Sequence, residues 1–465
     1  MRVPFLGRLR AMEWPILVFS LLLVVVEQLI YVIAELIPSP AISFFDSITQ
    51  RIFSLFNVSS PSKMDERVRQ VARGKSFVEI CSLFGYKAEE HVVQTSDGYI
   101  LGVHRIVGSQ HSLGSPPRSG APVVYLHHGL LMNSEVWVVN LDPSRCLPFV
   151  LADLGYDVWL GNNRGNKYSK KHISKKTTDK DFWNFSIDDF ALYDIPDTID
   201  YILKYVQQKN LAYIGFSQGT AQGFAALSVN PDLNNKVRLF IALAPAMAPP
   251  GLNNQIVDSL TKASPSLIYL FFGTKAILPS TAFWQSIMYP PLFVKTIDLS
   301  LDFLFRWSGR NISYAQKLAS YAHLYSYTSV KSVVHWFQIM RNGRFHMYDD
   351  AVQNPLVYDP TYYRVAPFPT KNIKTPVVLI YGATDSLVDI KLMLSELPDG
   401  TAHVGIKDHE HLDILWGKNI DTLIFPYVLN ALKKSSSSRS RTQTPPSPLS
   451  PVNGKLISHH HSNSP

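Results

Sequence analysis

Residues 215–219 read Gly-Phe-Ser-Gln-Gly, between the apolar, strand-like run Leu211 to Phe216 and the helix-like run Thr220 to Ser228. A serine at such a junction is pushed out on a sharp strand-to-helix bend. Small residues must flank it, because a larger side chain would clash where the backbone folds back. The pentapeptide therefore predicts a nucleophile elbow at Ser217, and with it a layered α/β fold. Five residues recur by chance, so the weight falls on whether the chain supplies the partners this serine needs.

Short β-branched and aromatic runs recur with helical segments between them: Val123 to His128, Asp157 to Leu160, Leu211 to Phe216, Leu239 to Ala244, Val377 to Tyr381 and Ala402 to Ile406. Such alternation predicts a mainly parallel sheet with helices on both faces. Glu89 to Arg105 alternates in a strand-like way around Asp97-Gly98, a two-residue hairpin signal that would add an antiparallel edge. Between Pro249 and about Thr370 the alternation stops and large apolar residues dominate, as in Leu267 to Phe272, Ala282 to Tyr289 and Ile297 to Trp307. This stretch is either extra core or a cap with a mobile lid over an acyl tunnel. At 465 residues the chain could hold two or three domains, yet α/β enzymes often use about 250 to 350 residues in one. The expected division is a basic, apolar amino terminus (1–40), a linker (41–77), a core in two parts (78–248 and 371–432) around a cap/lid insertion (249–370), and a tail (433–465).

A serine nucleophile needs a base to take its proton and a carboxylate to hold that base, in the chain order Ser, acid, His. Asp385 follows the strand-like Val377 to Tyr381, on the loop where open α/β sheets bind ligands. Asp389 is the second choice, expected to face solvent on the next helix. Asp408-His409-Glu410-His411 follows the last strand-like run. His411, just before the helix-like Ile414 to Leu432, is the better base. A His-x-His pair without other ligands at useful spacing argues against a metal site, and no cofactor is implied. Two backbone donors are also required for the oxyanion: the amide of Gln218, after the nucleophile, and that of Leu130, at the end of His127-His128-Gly129-Leu130. His127 and His128 precede the serine, the wrong order for a base in this fold.

The net charge of +8 sits at the ends. Arg2, Arg8, Arg10, Lys433, Lys434, Arg439, Arg441 and Lys455 are opposed there only by Glu13, leaving 36 bases against 35 acids in the body. That distribution suits anionic lipid headgroups better than a nucleic-acid groove. Trp14 to Val26 is unbroken by charge and resumes after Glu27-Gln28 as Leu29 to Ala34, bracketed by Pro15, Pro38 and Pro40. At about 1.5 Å per residue, 14–37 would just cross a hydrocarbon core of roughly 30 Å, but its two glutamates oppose a plain crossing. A retained anchor, either spanning or an in-plane hairpin, is expected rather than a cleaved signal peptide. From Ser435 the chain is Ser, Pro, Thr and basic residues with no acidic side chain, a composition that does not form a core. Thr444, Ser447 and Ser450 each precede proline there, which suits cytosolic proline-directed kinases and a cytosol-facing body. The sequons at Asn57, Asn184 and Asn311 would matter only on the luminal side. Cys81 and Cys146 are too few for a disulfide framework; two buried thiols are expected, and a single bridge stays open.

Together these motifs resemble the acid lipase family, which includes gastric and lysosomal lipases and fungal steryl ester hydrolases. The likeness spans roughly residues 78–430. It rests on Gly85-Tyr86, Glu89-Glu90-His91, Asp97-Gly98-Tyr99-Ile100-Leu101, His127 to Leu131, Asp157 to Asn166, Phe182-Trp183, Phe185-Ser186, Gly215 to Gly219, His411-Leu412-Asp413 and Trp416-Gly417. It implies an α/β-hydrolase core with a cap, a triad of Ser217, Asp385 and His411, and oxyanion donors Leu130 and Gln218. The doubled histidine, the second asparagine of Asn162-Asn163, and Phe216 where secreted lipases carry histidine look like the steryl ester hydrolase branch. That branch is membrane-anchored at lipid droplets or the endoplasmic reticulum. The resemblance thus implies an esterase that cleaves steryl esters to sterol and fatty acid at a membrane or droplet surface. A triacylglycerol lipase and an inactive lipid-binding scaffold are the alternatives.

Overall fold

The computed structural model describes residues 65–109, 117–252, 265–350 and 365–437, with single positions between 14 and 29 and between 259 and 263. Nine strands form one sheet: β1 (Tyr86–Gln94), β2 (Tyr99–Ser109), β3 (Val123–His127), β4 (Asp157–Gly161), β5 (Lys171–His172), β6 (Leu211–Phe216), β7 (Val237–Leu243), β8 (Val377–Gly382) and β9 (Ala402–Ile406). Their order is β1-β2-β4-β3-β6-β7-β8-β9, with β5 pairing β2. Pairs from β4 to β9 are parallel, while β2 runs antiparallel to β1, β4 and β5. The antiparallel edge stands where the Asp97-Gly98 signal put it, on a longer turn: Thr95 N–H donates to the Tyr99 carbonyl at 2.8 Å.

The parallel strands β3, β4 and β6 are buried at every residue, because helices cover both faces. Alternate residues serve opposite layers: Val124, Leu126, Val158, Leu160 and Ile214 enter one core, Val123, Tyr125, Trp159 and Tyr213 the other. The helix Gln218–Val229 is buried from Gln218 to Ser228, which explains its small residues. The final helical stretch differs from the continuous Ile414 to Leu432 expected. It forms three pieces, Asp413–Trp416, Ile420–Leu423 and Phe425–Ser437, broken at Gly417 and just before Pro426, whose ring removes an amide donor. The last piece runs on to Ser437, inside the stretch read as tail, with the Ser435 and Ser436 hydroxyls donating to the Leu432 carbonyl.

Between adjacent strands β7 and β8 lies the long insertion. Its described part is helical, including Pro265–Phe272, Ser280–Ile287, Pro290–Phe305, Tyr314–Ser320 and Val330–Asn342. Cys81 and Cys146 are free and fully buried, and burial raises both thiols. Among the described residues no helix is long and apolar enough to cross a membrane. Most of 14–37, the Asn57 sequon, Thr444, Ser447 and Ser450 lie outside them.

Glu135 joins three parts of the chain. It is 2% exposed; Lys167 Nζ donates to its Oε1 at 2.6 Å and Tyr168 Oη donates to the same atom. His323 of the insertion reaches its Oε2 at 3.0 Å and the Val71 carbonyl at 2.7 Å. Burial alone would raise the carboxyl, but hydrogen bonding and charge from His323 and Lys167 prevail and hold it at about 2. A depressed carboxylate stabilises the fold fully above its unfolded pKa and loses that contribution as pH falls through its folded one. On the order of 3 kcal/mol should therefore disappear between about pH 4.5 and about pH 2. In urea titrations across that window, Glu135→Gln is expected to start less stable and fall less steeply than the parent. Parallel curves would refute this role.

Candidate active site

The carboxyl ends of β3, β6, β8 and β9 lie at one edge of the sheet, where open α/β sheets gather ligands. Ser217 follows β6 with φ 53° and ψ −121°, a left-handed conformation that serine adopts only under constraint. The constraint is close packing. A Cβ on Gly215 would lie 2.7 Å from the Gly219 carbonyl carbon, and one on Gly219 would lie 2.5 Å from the His127 carbonyl oxygen. Ser217 N–H donates to the Leu243 carbonyl of β7, and its own carbonyl accepts from Thr220 Oγ1 at 2.6 Å.

Asp385 follows β8 and His411 follows β9, and the fold joins them: His411 Nδ1 lies 2.6 Å from Asp385 Oδ2. Both are buried. A carboxylate cannot donate, so Nδ1 carries the proton and Nε2 is left for a substrate or nucleophile. Asp385 Oδ1 accepts from the Leu387 amide at 3.0 Å. The two loops are stitched independently, because Thr384 N–H and Oγ1 both donate to the His409 carbonyl. Asp389 caps the helix Ile390–Glu396 by accepting from the Leu392 amide. His409 turns its Nδ1 to the Lys407 carbonyl. Among the described residues no hydrogen bond joins Ser217 to His411, a pair that commonly tightens only once substrate is bound. The Phe216 ring packs at a tilt against that of His411, with centroids 5.2 Å apart.

β3 and β6 are adjacent and parallel, with His127 opposite Gly215. Leu130 and Gln218 each lie three residues beyond that pair, so the register brings their amides to the same end of the sheet. Neither amide donates to another described residue. The loop carrying Leu130 is held by side chains whose purpose the sequence left open. His127 accepts from Tyr125 Oη at Nδ1 and donates through Nε2 to Asn163 Oδ1 at 2.7 Å. His128 donates through Nδ1 to the Gly129 carbonyl and accepts at Nε2 from Asn163 N–H and Asn166 Nδ2. Burial pushes His127 down to about 4 and His128 well below its ordinary value, so both are neutral braces. Gln218 is pinned in turn by Trp336 of the insertion, whose Nε1 donates to its Oε1 at 2.7 Å.

The sequence matches the alpha/beta hydrolase fold family over residues 122–418 and a partial alpha/beta-hydrolase lipase region over 77–141. The chain belongs to the acid lipase family of α/β-hydrolases, and it is a carboxylic ester hydrolase. A Schizosaccharomyces pombe protein named a probable lipase is 50% identical over 436 residues, covering 93% of each chain. Human gastric triacylglycerol lipase is 34% identical over 368 residues, 77% of this chain and 90% of that one. Human lysosomal acid lipase/cholesteryl ester hydrolase is 34% identical over 369 residues with the same coverage.

Proposed function

We propose that this chain is a membrane-associated serine esterase that hydrolyses steryl esters, with Ser217 as nucleophile, His411 as base and Asp385 as the carboxylate that orients it. The 2.6 Å contact between His411 Nδ1 and Asp385 Oδ2, at the sheet edge that carries the strained Ser217, is the observation that supports these roles. Ser217 Oγ attacks the ester carbonyl carbon as His411 Nε2 takes its proton. Asp385 stabilises the resulting imidazolium, and the Leu130 and Gln218 amides bind the oxyanion. Collapse of the intermediate breaks the bond to the alcohol oxygen, which receives the proton from His411. Water, deprotonated by the same imidazole, then attacks the acyl-serine and releases the fatty acid. Residues 249–370 serve as the cap.

Steryl esters are favoured by Phe216, which puts an aromatic ring beside His411 where secreted lipases carry histidine. One relative's name includes cholesteryl ester hydrolase and another's triacylglycerol lipase at equal identity, so triacylglycerols are the second substrate class. Membrane association is supported by the described amino-terminal positions. Leu17 and Leu21 are buried against the insertion, while Val18, Phe19, Leu22, Val25, Val26 and Leu29 are 43–58% exposed, behind Arg2, Arg8 and Arg10. Such a face suits an in-plane segment on a lipid droplet or the endoplasmic reticulum, with the body facing the cytosol.

The test is turnover of cholesteryl oleate and triolein in matched droplets by purified full-length protein, with fluorophosphonate labelling mapped by mass spectrometry. Labelling at Ser217 and faster steryl ester turnover are expected. Preference for triolein would reverse the substrate assignment, and absence of labelling would favour an inactive scaffold.

A further inference from the structure

The insertion does more than lie over the sheet edge: its segment from Phe305 to Asn311 is bonded to both the acid loop and the base loop. The helix Pro290–Phe305 ends at Arg306, whose φ of 57° turns the chain sharply inward. Trp307 then stacks on His411 with ring centroids 5.0 Å apart and planes within 7° of parallel. The same indole donates from Nε1 to Ser386 Oγ at 3.1 Å, and Ser386 Oγ donates back to the Phe305 carbonyl at 3.0 Å. Ser386 is the neighbour of Asp385.

On the base loop, Glu410 precedes His411. Its carboxylate accepts from Ser308 N–H, Ser308 Oγ and Gly309 N–H at 2.8–3.0 Å. Asn311 Nδ2 donates to the Asp408 carbonyl at 2.7 Å and to Asp413 Oδ2 at 2.9 Å. Both Asn311 amide hydrogens are therefore committed to this loop and the helix that follows it.

We propose that Phe305–Asn311 is a bracket that sets the ring plane of His411 against Asp385, with Trp307 as its positioning residue. The inference rests on the triad assigned above. The Nδ1 contact fixes one edge of the imidazole but leaves the ring free to pivot about it. A parallel indole on its face removes that freedom, holding Nε2 toward the nucleophile. The plain alternative is that Trp307 is simply core: it is 6% exposed and stacks at 4.2 Å on Phe305. A core role would affect stability, not the catalytic step.

The experiment uses the full-length enzyme and a water-soluble p-nitrophenyl ester, so that lipid contact plays no part. Because a displaced base costs on the order of 100-fold in rate, Trp307→Ala is expected to lower kcat by about 30- to 100-fold with KM changed less than about 3-fold. Trp307→Phe, which keeps a stacking ring, should retain kcat within about 5-fold of the parent. Trp307→Ala/His411→Ala should be no slower than His411→Ala, since the indole acts only through that ring. Glu410→Gln loosens the bracket without emptying core volume and should lower kcat alone, which covers a Trp307→Ala protein that does not fold. Parental kcat in Trp307→Ala, a change confined to KM, or multiplicative loss in the double variant would each overturn the bracket. Activity persisting in His411→Ala would instead overturn the triad itself.

Discussion

Ser217→Ala is expected to lower ester turnover by about 10⁶-fold while leaving the fold intact, the largest single effect available in this chain. The size follows from the way a triad works. His411 and Asp385 are already paired at 2.6 Å, and without the serine hydroxyl they have no nucleophile to activate. Their contribution is lost together with that of Ser217. What remains is the binding of the oxyanion by the proposed donors, Leu130 and Gln218, worth about 10³–10⁴-fold over water in such sites. Ser217→Ala, His411→Ala and the double variant should therefore fall to the same floor. Structural disturbance should be small, because the serine hydroxyl is not what holds the elbow. Its bend is set by Gly215 packing on Gly219 and by Thr220 Oγ1 holding the Ser217 carbonyl. Steady-state turnover of a soluble ester and circular dichroism would check both halves. Activity within about 100-fold of the parent would place the nucleophile elsewhere.

The strands, and the places of the proposed site residues just beyond them, were legible in the sequence because each depends on local patterning. A doubly covered parallel strand must be apolar throughout, so Leu211 to Phe216 is read to the residue; Ala402 to Ile406 is read as closely, although it is an edge strand whose burial alternates. Ser217, Asp385 and His411 each follow one of the parallel strands. Less legible were the groups that aim them. Trp307 and Trp336 reach His411 and Gln218 from an insertion without strand periodicity or motif spacing. Nothing local marks either tryptophan as other than core. His127 and His128 were visible as a pair, but their bracing role depends on Asn163 and Asn166, more than thirty residues away in sequence. Asp389 illustrates the converse: a carboxylate four residues from Asp385 is engaged as a helix cap, a role that local sequence alone does not separate from catalysis.

Arg164→Ala is expected to destabilise the fold by about 3–5 kcal/mol, the cost of leaving buried charge unpaired. Arg164 is 1% exposed and lies 4.0 Å over the Tyr99 ring. It donates to Asp194 Oδ1 at 2.7 Å and to both Asp97 oxygens at 2.7 and 3.0 Å, while its own amide donates to Asp194 Oδ2. The two carboxylates respond differently because they are buried differently. Asp194 is fully buried and is pushed up to about 6 by that burial despite Arg164, whereas Asp97, at the hairpin turn, lets the guanidinium outweigh a smaller burial penalty and stays low. Removing Arg164 would leave Asp194 to take up a proton on folding at neutral pH. Arg164→Lys should recover less than half of the loss, because one ammonium cannot span two carboxylates in a fork. Adding Asp194→Asn to Arg164→Ala should recover part of the loss, since an amide at that buried position needs no proton uptake on folding. The effect should also reach the site: Asn163, next in the chain, holds both His127 and His128 behind the Leu130 amide. Thermal midpoints should fall by roughly 10 °C in Arg164→Ala. A midpoint unchanged in Arg164→Ala would show that the network contributes nothing to holding this loop, and one lowered further by Asp194→Asn would show that a stranded carboxylate is not the source of the loss.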